Sequence, residues 1–169
     1  MLKDIDELIK QRIELMLRNN PNRINFYEEY QEIIKAYNSE QDRATIEKTF
    51  MALIDLSNTL DKEEKRFVRE GFADDEQLTI FDLLFKKDLS KSDIAKLKKV
   101  SIELLDKVKS RIKELHNWTE KPNTQADIQN LVKDTLWINL PDSYSDTSIL
   151  DYSKKLYEYI FERYPIVAA

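Results

Sequence analysis

The stretch from Lys91 to His116 constrains the fold more than any other part of the chain. At about 100° of turn per residue, Ile94, Leu97, Leu104, Leu105, Val108, Ile112 and Leu115 fall within an arc of roughly 100°. Lys96, Lys99, Glu103, Lys107 and Lys113 lie near the opposite side, so the stretch reads as a helix of about seven turns with one apolar face. A lone helix cannot hide such a stripe from water. Neighbouring segments must bring stripes of their own.

They do, at the same helical spacing. Ile5, Leu8, Ile9, Ile13 and Met16 define a helix from about Lys3 to Arg18, stopped by Asn19, Asn20 and Pro21. Phe26, Tyr30, Ile33, Ile34 and Tyr37 define a second, from about Asn25 to Tyr37. A third uses Ile46, Phe50, Leu53, Leu56 and Leu60 and is expected to continue as one helix, straight or kinked, through Phe67 and Val68 to Gly71, which has the place of a helix C′ residue, although Asp61 with Glu64 would permit a restart at Asp61. Asp74 with Gln77, Ser90 with Asp93, and Thr124 with Asp127 have the form of N-cap signals opening further helices. Pro141 breaks the pattern, and a last helix runs from about Thr147 to Tyr164.

With one glycine and four prolines, the chain lacks the turn residues that a sandwich or barrel consumes. The expected class is therefore all-α: a single helical bundle of about six to seven helices, the longest near residues 91–116. A length of 169 residues suits a single domain, 1–169. The absence of cysteine excludes disulfides and thiolate metal sites. No apolar run approaches membrane-spanning length and no secretory h-region opens the chain, so a cytoplasmic location and no membrane partner are expected.

The net charge of −5 is unevenly spread. Residues 1–85 carry 12 Lys/Arg against 19 Asp/Glu, residues 86–113 carry 10 against 4, and residues 114–169 carry 5 against 9. The basic segment can meet the chain's own carboxylates or phosphate, and the intramolecular reading comes first. If phosphate is met, Lys96, Lys99, Lys107 and Lys113 are the candidate contacts, without base preference because few Asn, Gln or Arg residues lie among them.

The last helix is unusually wide. Tyr152 and Tyr159 extend its stripe on one side, Leu150 and Phe161 on the other, to roughly 200°. Either it is covered from two directions, or one flank is exposed and docks a partner, since tyrosine is enriched in interface cores. The candidate partner contacts are Tyr152, Tyr159, Leu150 and Phe161.

No catalytic, cofactor-binding or metal-ligating set stands out. A single glycine cannot form a Walker or dinucleotide loop. His116, the sole histidine, suits the end of a helix better than a metal site. Glu63, Glu64 and Lys65, with Asp55 and Asp61 upstream, have a nuclease-like spacing that charged helical runs also produce by chance.

Read together, several portions carry a resemblance. They are Asn22–Tyr27 with Glu32–Ile34, Tyr37 and Asn38; Glu63–Arg66 with Arg69–Gly71; Glu76–Leu84; Trp118 and Thr119; Ile128 and Leu136; Leu140, Pro141 and Tyr144; and the helix ending Tyr157, Ile160, Phe161 and Tyr164. In this order and spacing the chain resembles the C-terminal helical region of the R (motor and endonuclease) subunit of type I restriction enzymes. The resemblance implies a C-terminal fragment of a larger R subunit whose ATP-dependent DNA translocase and magnesium-dependent nuclease domains lie N-terminal to it. ATP and Mg would then serve the parent subunit, with no cofactor in this fragment. It also implies an assembly role, holding the R subunit to the methyltransferase and specificity subunits, with DNA met through the parent complex. The alternative is an accessory DNA-contacting domain that uses the basic helix 86–113.

Overall fold

The computed structural model describes residues 2–39 and 42–167. Among them are eight α-helices and no strand. Their contacts divide into two compact units, one up to Thr79 and one from Ile80.

In the first unit, α1 (Leu2–Asn19), α2 (Ile24–Ser39) and α3 (Arg43–Glu64) pack pairwise around Ile9, Ile13, Met16, Tyr30, Leu53, Leu56 and Leu60. These belong to the stripes expected from the spacing, except that Leu8 on α1 and Ile46 at the head of α3 are exposed, and Thr49 is buried on α3. α1 stops where the asparagines stand. The buried Asn20 side chain accepts from the Asn22 N–H at 3.1 Å, and Pro21 opens a 3-10 turn to Arg23.

The long third helix is interrupted rather than continuous. At Lys65 the amide donates to the Lys62 carbonyl, a tightened i−3 bond, and a separate four-residue helix, α4 (Arg66–Arg69), follows. This break raises the helix number above the expected six to seven. α4 closes with Gly71 at φ 83°: Gly71 N–H donates to Val68 at 3.1 Å and Phe72 N–H to Phe67 at 2.9 Å, the paired bonds of a Schellman ending. α5 (Asp75–Leu84) begins at Asp74, whose carboxylate accepts from Gln77 N–H at 2.9 Å, while the Gln77 side chain accepts from Ala73 N–H at 2.9 Å.

In the second unit, α6 (Lys91–Glu114) is the longest helix at 24 residues. Ser90 caps it, accepting from Asp93 N–H at 3.0 Å. Leu97, Leu104, Leu105, Val108 and Ile112 are buried as the spacing requires, with Ile94 and Leu115 half-buried at the margins. α7 (Pro122–Asn139) packs against α6 and α8 (Asp146–Arg163) against α7, burying Ile128, Val132, Leu136, Ile149, Leu156 and Ile160.

Thr124 is not the cap of α7. Its hydroxyl donates back to the Trp118 carbonyl at 2.6 Å and the Lys121 carbonyl at 3.0 Å, and the helix starts two residues earlier with Pro122 in its first turn, where a missing N–H costs nothing. Asp127 pairs with Arg111 instead, at 2.6 Å. Ser145 caps α8, accepting from Ser148 N–H at 3.2 Å. Among the described residues no helix is long and apolar enough to cross a membrane.

Candidate functional site

Two surfaces of the second unit carry the residues singled out by the sequence. On α8, the tyrosine side and the aliphatic side differ. Tyr159 is buried, its ring 6.3 Å from that of Tyr164 in an edge-on arrangement, so it packs in the core. Tyr152 is half-buried, edge-on to Tyr144 at 5.5 Å. Leu150 is 50 % exposed and Phe161 37 %. Eleven residues apart, these two lie within about 20° of each other around the axis. Lys154, also exposed, lies between them along the axis and within about 40° of Leu150 around it.

Phe161 rests on a firm base. Trp118, fully buried, meets its ring edge-on at 5.6 Å and that of Tyr157 at 6.1 Å. On α7, Trp137 is 49 % exposed, and Ile138 beside it is more exposed still. The stripe Ile128, Val132, Leu136 leaves Trp137 about 180° from Ile128, so its outward position is readable from spacing. An apolar stripe marks the inward residues alone, so Trp137 does not stand out from it.

On α6, Lys96, Lys99, Lys107 and Lys113 are all exposed, and none has an ion pair, hydrogen bond or ring contact among the described residues. Four other cations of the basic segment are engaged. Lys86 donates to the Ser143 carbonyl and lies 4.6 Å from the Tyr144 ring. Lys98 lies 6.0 Å from the Phe81 ring and Lys109 5.4 Å from that of Tyr164. Arg111 holds Asp127 at 2.6 Å and Glu114 at 2.8 Å, so the intramolecular reading describes Arg111 but not the four lysines.

The nuclease-like carboxylates are turned toward arginines. Glu63, buried, accepts from Arg23 at 3.1 Å and Arg66 at 2.9 Å. Glu64 accepts from Arg12 at 2.7 Å, and Asp61 pairs with the same guanidinium. Lys65 and Asp55 are exposed. Among the described residues no group of three His, Cys, Asp or Glu side chains is placed to hold a metal ion. His116 is exposed, beyond the end of α6. In the first unit an open groove of about 530 Å³ is lined by Leu2, Ile46, Phe50 and Met51, with Glu47 its one charged residue, so it gathers no set of polar groups.

Two buried tyrosine hydroxyls are raised from the ordinary phenol value. Burial pushes Tyr144 up, helped by Tyr152 and Asp93, and its hydroxyl donates to the Leu84 carbonyl. Burial and a hydrogen bond to Asp6 do the same for Tyr30. Both hydroxyls serve as packed donors.

A family model described as "Type I restriction enzyme HindI endonuclease subunit-like, C-terminal" matches residues 1–157. No curated protein and no solved structure matches the chain.

Proposed function

Because the chain belongs to the family of type I restriction enzyme HindI endonuclease subunit-like C-terminal regions, we propose that it is an assembly module. It holds an ATP-dependent DNA translocase and endonuclease subunit to the methyltransferase and specificity subunits. On this reading ATP and magnesium serve the parent subunit's motor and nuclease domains, and the module works in the cytoplasm. The observation that carries the reading is the exposed apolar side chains on two helices that pack together: Leu150 and Phe161 on α8, Trp137 and Ile138 on α7. Tryptophan dominates interface hot spots, and Phe161 on its buried Trp118 base is held in place before docking. A complementary partner face is apolar, with a carboxylate opposite the exposed Lys154.

Calorimetric titration of the chain into the methyltransferase–specificity core tests this. Leu150→Lys and Trp137→Ser are each expected to weaken binding by about tenfold or more, which corresponds to about 1.4 kcal/mol, while leaving the thermal midpoint in place. Equal affinity of both variants and the parent chain removes the reading.

A further inference from the structure

Four of the unengaged lysines of α6 have a common placement, which Lys91 at its first position does not share. At about 100° and 1.5 Å per residue, Lys96, Lys99, Lys107 and Lys113 occupy one solvent-facing third of the helix and span roughly 25 Å along it. Glu103, Asp106 and Glu114 share that face; Glu114 is held by Arg111, and four lysines against three carboxylates leave the face a small excess of positive charge. Lys99 and Lys107 both stand four residues from Glu103, the spacing of helical ion pairs, yet neither is paired with it. Their ammonium groups extend into solvent. At physiological salt, charges beyond a screening length of about 8 Å are damped, so an approaching polyanion meets this ridge and not the chain's negative total.

The helix also limits what the polyanion can be. Its sequence contains no aromatic residue, so an unpaired base finds nothing to stack on. It contains no Asn or Gln, and its one arginine is committed to Asp127 and Glu114, so base edges go unread. Flexible point charges that can reach only phosphate are what remain.

We propose that the Lys96, Lys99, Lys107 and Lys113 face of α6 is a contact for the phosphate backbone of double-stranded nucleic acid, made without base preference. The inference rests on the geometry of α6 and on membership in an endonuclease-subunit family, and it stands whether or not the α7–α8 surface docks the methyltransferase core.

Fluorescence anisotropy of a labelled duplex of arbitrary sequence, titrated with the full chain across a salt series, measures it. With four phosphates neutralised, log affinity falls against log salt with a slope of about −3.6, a loss of about 150-fold between roughly 50 and 200 mM salt. Each Lys→Gln at the four positions reduces the slope by about 0.9, with the helix content unchanged because the sites are exposed and Gln is a good helix former. Lys133→Gln and Lys155→Gln, at exposed sites on α7 and α8, leave the slope as it was. No binding at low salt overturns the proposal, as does a slope indifferent to all four substitutions. Tighter binding of a single strand, or displacement of the duplex by poly-glutamate at equal charge, overturns the assignment to a duplex backbone.

Discussion

The indole Nε1 of Trp118 donates to the main-chain carbonyl of Tyr164 at 2.8 Å, joining the turn before α7 to the last residue capping α8. The bond is buried, and the same indole supports Tyr157 and Phe161 edge-on. Trp118→Phe keeps a ring but removes the donor, stranding a buried carbonyl. The expected loss is about 1–3 kcal/mol, read as a lower urea midpoint, and an unchanged midpoint would show that the bond contributes nothing net.

Arg23 is the polar centre of the first unit. Its guanidinium is nearly sealed from water and reaches Glu63 at 3.1 Å and Asp75 at 2.6 Å. Arg23→Met leaves Glu63 buried with one partner fewer, and a cost of about 3–5 kcal/mol is expected. Replacing Glu63 by Leu in the same chain should recover part of it, since Arg66 and Asp75 retain access to water. Additive losses in chemical denaturation would contradict this coupling.

Tyr30 and Tyr144 set an alkaline limit. In the folded chain burial raises both phenols above their ordinary value of about 10. The folded state therefore holds these protons more tightly than the unfolded state. Their contribution is complete below about pH 10 and declines as pH rises from there toward the folded pKa. Thermal midpoints measured from neutral to strongly alkaline pH should fall in that window, and Tyr144→Phe should flatten the fall.

Ser90→Ala should cost about 1 kcal/mol, by removing the oxygen that satisfies the Asp93 amide at the head of α6, whereas Ser90→Gly should cost a few tenths. Thermal denaturation of the two variants separates loss of the cap from a general effect of substitution.

The helical class and the burial of Leu97, Leu104, Leu105, Val108 and Ile112 were legible because period and face are local properties of a helix. Gly71 was legible because a residue with φ 83° after a last turn has few alternatives. The break at Lys65 was not: nothing in Glu64–Lys65–Arg66 opposes a helix, and Asp61, where a restart was permitted, lies inside α3. Thr124 misled because its hydroxyl can bond backward as readily as forward, and Pro122 was the stronger start signal.

At the surfaces, periodicity gave the angular position of Tyr159 but not which neighbour covers it, and that choice makes it core while Phe161 stays partly in water. The arginines that occupy Asp61, Glu63 and Glu64 come from positions 12, 23 and 66. Two of those three separations exceed anything a local pattern reports.

The chain has only two tryptophans, and they stand in opposite settings: Trp118 is sealed inside the second unit while Trp137 is half open to solvent. Their fluorescence therefore carries two separable signals. Emission from Trp118 follows unfolding, and external quenchers reach Trp137 first, so loss of quenching at constant fold is an optical record of a partner settling on α7.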